Sequence, residues 1–154
     1  MRELVEKLIR ENKTISTMES CTGGGIANAI TNISGASEIL KFSAVTYSNE
    51  FKIKMGVNSN IIDKYSVYSM ETADEMSKNI ALFTSSTYGV GVTGKLCRVD
   101  ENNLYGEDNI VYISVYDSIN NTYYNSKIEV TKEIRKDNKQ LVIDEVVKMF
   151  MTIM

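Results

Sequence analysis

Leu4, Val5, Leu8 and Ile9 recur three and four positions apart among charged residues, a period that predicts an amphipathic helix over residues 2–12. Residues 14–19 read as a short strand. Helical spacing returns at Ile26, Ala29, Ile30 and Ile33, predicting a helix from Thr22 to about residue 33, which Ser34-Gly35-Ala36-Ser37 breaks. Residues 42–48 predict a second strand with Ala44-Val45-Thr46-Tyr47 at its centre. Its polar end, Ser48-Asn49-Glu50, runs through Phe51-Lys52 into a short helical turn. One or two further turns cover residues 58–64. Ser69 reads as the N-cap of the next helix, with Thr72 in its first turn and Ala73, Met76, Ile80 and Phe83 facing inward.

Residues 87–93 predict a third strand, whose two glycines permit close backbone approach. The polar stretch 94–108 is long for a connection inside a compact domain, which marks it as functional or mobile. Residues 110–116 and 123–130 predict a hairpin around Asp117-Ser118-Ile119-Asn120-Asn121. After Lys132 comes a closing helix with Leu141, Val142, Val146, Met149 and Phe150 inward. Strands alternating with helices, followed by a late hairpin, predict an α/β fold: a three-layer α/β/α arrangement with a mixed sheet. No repeat or linker divides the chain, so residues 1–154 are expected to form one domain.

Composition narrows the function. A length of 154 residues, 43 % of them hydrophobic and 24 % charged, suffices for a core of its own. The net charge of −3 argues against a general nucleic-acid or acidic-membrane surface. No apolar run approaches the roughly 18 residues of a membrane span, and the charged N-terminus lacks the apolar core of a signal peptide. The expected setting is cytoplasmic, with no nucleic-acid or membrane partner. The two cysteines, Cys21 and Cys97, make neither a disulfide framework nor a metal site, and no metal or other cofactor is expected. With no histidine in the chain, Ser-His-Asp and Cys-His catalysis and imidazole zinc sites are excluded. With no proline, every loop must turn by Gly, Asn, Asp or Ser.

The candidate chemistry gathers at Ile15-Ser16-Thr17-Met18-Glu19-Ser20-Cys21-Thr22-Gly23-Gly24-Gly25, a strand running into a glycine turn that opens a helix. Such a junction exposes backbone N–H groups and the positive end of a helix dipole. Ser20 is either part of a helix cap or a nucleophile whose oxyanion those N–H groups would stabilise. As a nucleophile it needs a base, and without histidine the obvious option is a lysine. Lys52 is the natural candidate because it also follows a strand end, and such ends gather along one rim of an open α/β sheet. Lys54 and Lys41 compete with it. Tyr47 and Glu19 could orient the lysine, although strand packing for Tyr47 and a surface carboxylate for Glu19 are the simpler readings. Val92-Thr93-Gly94 forms a third strand end of the same character. Cys21 is a redox-active thiol or, more simply, a small packing residue. Lys132, Arg135, Lys136 and Lys139 could hold a phosphate or merely form a solvated helix face.

At these residues the chain resembles the C-terminal domain of the CinA (competence/damage-inducible) proteins, which also occurs alone as a nicotinamide mononucleotide deamidase. The resemblance rests on Glu19-Ser20-Cys21-Thr22-Gly23-Gly24, on Val45-Thr46-Tyr47-Ser48-Asn49-Glu50-Phe51-Lys52 and on Val92-Thr93-Gly94, and it covers nearly the whole chain. It implies a mixed-sheet α/β/α fold and an amidohydrolase, similar to Ser/Lys hydrolases, that converts nicotinamide mononucleotide and water to nicotinate mononucleotide and ammonia. By that resemblance Ser20 is the nucleophile, Lys52 its base and Tyr47 a supporting hydroxyl. Thr22, Gly23 and Gly24 would stabilise the oxyanion or contact the nucleotide, with Thr93, Gly94 and Arg135 also on the substrate side. A homodimer is implied by the same analogy. Residues 94–108 depart from the glycine-rich loop of that family. The departure motivates an alternative, a non-catalytic nucleotide-binding or protein-interaction module.

Overall fold

A computed structural model describes residues 1–97 and 106–154. The elements run α1 (Arg2–Arg10), β1 (Ile15–Glu19), α2 (Gly25–Thr31), α3 (Ala36–Ile39), β2 (Leu40–Val45) and α4 (Asn49–Lys54). Then follow α5 (Ser59–Tyr65), α6 (Met70–Thr84), β3 (Tyr88–Gly94), β4 (Ile110–Asp117), β5 (Thr122–Glu129) and α7 (Arg135–Ile153). The five strands form one sheet in the order β2-β1-β3-β4-β5. β1 is parallel to both β2 and β3, while β3-β4 and β4-β5 are antiparallel. The mixed sheet and its late hairpin are as the sequence predicts. In register, Glu19 stands between Val45 and Val92, so the C-terminal ends of three parallel strands meet at one rim.

Side chains of alternate strand positions feed two separate cores, which makes the third layer. On one face Ile15, Val90, Val92, Val111, Ile113 and Val115 pack with Leu4 and Leu8 of α1 and Val142, Val146 and Phe150 of α7. On the other face Met18 packs with Met76 and Ile80 of α6 and with Val57, Ile62 and Val67. On that second face α6 lies very close to the sheet because β3 offers it no side chains at Gly89 and Gly91. A Cβ on Gly89 would overlap the Ser77 carbonyl oxygen, and one on Gly91 would overlap that of Ala73. Ser77 and Ser114 then join hydroxyls across the contact at 2.9 Å. No helix among the described residues is long and apolar enough to cross a membrane.

Four expectations are corrected. The second helix begins at Gly25 rather than Thr22, since Gly23 (φ +62°) and Gly24 (φ +88°) take left-handed backbone that no α-helix contains. The break at Ser34-Gly35-Ala36-Ser37 is not all loop: Gly35 (φ +88°) starts the short helix α3. The second strand spans Leu40–Val45, which leaves Tyr47 beyond its end and 64 % exposed. Phe83, expected inward, is 68 % exposed. It sits in the last turn of α6 beside the edge strand β2, where no further strand covers it, and its ring lies 5.8 Å from that of Phe42. The expected loop over 94–108 falls partly on residues 98–105, outside the described residues.

The Gly91→Ala substitution tests the close approach of α6. A methyl group there forces the helix off the sheet, at a cost of about 3 kcal/mol. The expected readout is a lower urea midpoint, with a far smaller change for Ala substituted at exposed Lys136.

Candidate active site

The chain leaves the sheet at Ser20, whose N–H donates to the Val92 carbonyl at 3.0 Å, and Thr46 N–H donates to the Glu19 carbonyl at 2.8 Å. These two bonds continue the ladders of β1 one residue past its end and fix Ser20 and Thr46 on the same rim. Just after β2, Ser48 caps α4 by accepting from Phe51 N–H at 3.3 Å. That cap sets the direction of a helix whose first turns carry Lys52 back over the strand ends. Lys52 is 1 % exposed. Its Nζ donates to Ser20 Oγ at 3.1 Å and to the Thr46 carbonyl at 2.7 Å. The hydroxyl and the amine, 32 positions apart, meet in a buried setting. Of the competing lysines, Lys54 pairs with Glu50 at the surface and Lys41 is exposed.

Glu19 is not the surface carboxylate that the simpler reading expects; it is wholly buried. It accepts from Ile26 N–H at 3.1 Å and Ala27 N–H at 2.9 Å, the first free donors of α2. Thr22 Oγ1 adds a bond of 2.7 Å and Thr17 Oγ1 one of 3.2 Å. One carboxylate therefore ties the end of β1 to the start of α2 and closes the intervening turn on itself. Gly23 N–H donates to the Ser20 carbonyl and Gly25 N–H to that of Thr22. Among the described residues, the N–H groups of Cys21, Thr22 and Gly24 donate to no backbone acceptor. Three donors are thus left over at the turn beside Ser20.

The other expected residues divide into two groups. Tyr47 and Arg135 come together: Arg135 Nη2 donates to the Tyr47 hydroxyl at 3.2 Å and Nη1 to the Leu96 carbonyl at 2.6 Å. Both are exposed, so they form a rim rather than a buried partner for Lys52. Thr93 and Gly94 are committed to the interior. The Thr93 hydroxyl donates to the Val67 carbonyl at 2.9 Å, and a Cβ on Gly94 would come within 2.5 Å of the Ile110 carbonyl oxygen. Burial pushes the Cys21 thiol up to about 12, partly countered by the Arg135 charge, so Cys21 is a packing residue. A cavity of about 320 Å³ is lined by Ile62, Asp63, Lys64, Tyr65, Ser66 and Gly106, without Ser20 or Lys52. We place the site at the serine–lysine pair because reactive groups, not volume, converge there. Among the described residues no group of His, Cys, Asp and Glu is placed to hold a metal.

The part that Glu19 plays, and the Thr46 carbonyl altogether, escape sequence reasoning. Glu19 carries a signal, a carboxylate four residues ahead of the first glycine of a turn that opens a helix, but nothing in the order of residues says which way its side chain folds. The Thr46 carbonyl carries none, because any residue supplies the same atom. Thr46 Oγ1 is buried with no partner among the described residues, which leaves one hydroxyl able to bond an incoming group.

An α/β domain with a Ser/Lys pair at the ends of its parallel strands is the class that these observations define. The chain matches the CinA C-terminal domain over residues 1–154 and belongs to that family. A "CinA-like protein" of Desulforapulum autotrophicum is 40 % identical over 94 residues, 60 % of this chain and 22 % of that protein. Two solved structures share the fold. The competence/damage inducible protein CihA of Agrobacterium tumefaciens superposes with a TM-score of 0.86 at 24 % identity, covering 98 % of this chain and 93 % of that one. A competence-damaged protein (CinA) superfamily member of Escherichia coli gives 0.89 at 19 % identity, covering 99 % and 87 %. The matched segment spans about a quarter of the length of the curated relatives.

Two measurements check this site. Glu19→Ala strands two helix N–H groups in the interior and is expected to cost about 3 kcal/mol in chemical denaturation, with Glu19→Gln costing less because one acceptor oxygen stays. Alkylation of the native protein at pH 8 should leave Cys21 unmodified by mass spectrometry, since about one thiol in ten thousand is ionised four pH units below its pKa. The same thiol should react once the chain is unfolded.

Proposed function

We propose that the chain is a Ser/Lys amidohydrolase that hydrolyses the carboxamide of nicotinamide mononucleotide, or of a related nucleotide amide, to the acid and ammonia. The observation that carries this reading is the 3.1 Å approach of Lys52 Nζ to Ser20 Oγ inside a buried site. A neutral lysine has two N–H bonds and one lone pair. One N–H bonds the Thr46 carbonyl, and a lone pair turned toward Ser20 Oγ would take the serine proton. Burial is the circumstance that favours a neutral amine over an ammonium.

In the first half-reaction Ser20 Oγ attacks the carboxamide carbon and its proton passes to Lys52 Nζ. The oxyanion forms beside the leftover N–H groups of Cys21 and Thr22, which need no reorganisation to receive it. Collapse of this intermediate breaks the C–N bond, Lys52 returns the proton to the departing nitrogen, and ammonia leaves an ester on Ser20. In the second half-reaction water attacks that ester, Lys52 takes its proton, and Ser20 Oγ leaves with a proton returned from the lysine. Family membership supports the assignment, and Arg135 with Tyr47 supplies the polar rim that a nucleotide would meet.

Purified protein given nicotinamide mononucleotide should release ammonia. Ser20→Ala and Lys52→Met should each lower kcat by about a thousandfold or more, because serine and base act as one unit. Equal release by Ser20→Ala would remove Ser20 from the chemistry. Binding of the mononucleotide with no ammonia from the unaltered chain would instead support the non-catalytic nucleotide-binding module.

A further inference from the structure

Of the four cations expected near the start of α7, two bear on the glycine turn, Lys139 by position and Arg135 by charge. A Cβ built on Gly23 would come within 3.2 Å of Lys139 Nζ, so the ammonium occupies the space that any larger residue at position 23 would take. Arg135 is one helical turn earlier on the same helix and therefore on the same face. Its guanidinium is already steered by the Leu96 carbonyl and the Tyr47 hydroxyl, and its charge is felt at Cys21 within the turn. Among the described residues neither cation lies within ion-pair distance of a carboxylate.

This arrangement is unfavourable as it stands. Like charges four residues apart repel, and cations in the first turns of a helix oppose its dipole. Beneath them Gly23 and Gly24 hold positive φ, and Gly24 N–H has no acceptor among the described residues. An anion at this point would relieve the repulsion and accept from ammonium, guanidinium and backbone together.

We propose that Lys139 and Arg135 clamp a phosphate monoester of the substrate against Gly23 and Gly24, and that Lys139 makes the enzyme select phosphorylated amides. The proposal rests on the amidohydrolase reading for the identity of the substrate, but the anion site itself does not need turnover. It divides the turn in two: the N–H groups nearest Ser20 face the reacting carbonyl, and the glycine end, under Lys139, takes the phosphate. Lys132 and Lys136 have no part in it.

The test uses the full chain, Lys139→Ala and Lys139→Arg. Inorganic phosphate titrated into the unaltered protein should shift the backbone amide resonances of Gly23 and Gly24. Lys139→Ala should weaken that binding about tenfold, the size of one partly solvated charge-assisted hydrogen bond, and Lys139→Arg should keep most of it. In turnover, Lys139→Ala should raise KM for nicotinamide mononucleotide about tenfold, raise KM for the unphosphorylated riboside far less, and change kcat little. Phosphate that leaves the Gly23 and Gly24 resonances unmoved, or that binds Lys139→Ala as well as the unaltered chain, overturns the clamp. So does an equal rise in KM for nucleotide and riboside. If no amide is hydrolysed at all, the amidohydrolase reading fails while the phosphate titration still decides the clamp.

Discussion

The buried carboxylate of Glu19 is the constraint around which this molecule is arranged. Taking a charge out of water costs several kcal/mol unless hydrogen bonds replace the lost solvation. Here two backbone N–H groups and two hydroxyls do so, and all four belong to the few residues on either side of the turn. Because the carboxylate takes the first donors of α2, the helix can start only at Gly25, and the chain must cover the gap from Ser20 through left-handed glycines. The same geometry leaves the N–H groups of Cys21, Thr22 and Gly24 without backbone acceptors among the described residues. The donors that a reaction would use are a by-product of how one carboxylate is satisfied.

The sheet explains why a lysine from elsewhere in the chain arrives at this turn. Parallel pairing of β2 and β3 on either side of β1 sends three strand ends to one rim, and the antiparallel strands β4 and β5 then extend the sheet to one side only. Among the described residues β2 is the edge strand, with no strand beyond it. The chain therefore folds back over its own strand end as α4, and the Ser48 cap fixes the angle at which it does so. Lys52 is buried because the rim is crowded, and it is oriented because Thr46, on that rim, presents a carbonyl. On the opposite face, the glycines and serines facing α6 bring that helix tight against β1 and β3, so the strand ends have little freedom to separate.

Much of this was legible in the order of residues, and the failures have a common cause. Periodicity located every long element, because the interior face of a strand or helix repeats at a fixed interval. Ser20 and Lys52 stood out because histidine is missing from the chain and both residues follow strand ends. Helical period identifies a face but not where the neighbouring layer stops, so it turns Phe83 inward. β-branched and aromatic residues continue past Val45, so the pattern extends the strand to Tyr47, whereas the pairing of β2 with β1 ends at Val45 opposite Glu19. Glu19 and Thr93 needed three dimensions. A carboxylate becomes interior only if several donors converge on it, and a threonine leaves substrate contact only if a carbonyl such as that of Val67 claims its hydroxyl. Such convergence is a property of the fold rather than of any local pattern.

The two halves of the site are therefore under different physical control. Ser20, Lys52 and most of the turn lie in the interior, where displacing any one of them leaves a buried polar group unsatisfied. The groups that would hold a substrate, Tyr47, Arg135 and Lys139, sit at or near the surface, on a strand extension and on a helix that otherwise serves the core. Changing them costs the fold little. A chain built this way ties the residues of its turn to folding, while the exposed side chains around it stay free to change. Glu19, Ser20, Cys21 and Thr22 resist substitution through folding itself, because each is buried at the turn, whereas the exposed side chains of Tyr47 and Arg135 carry no such constraint.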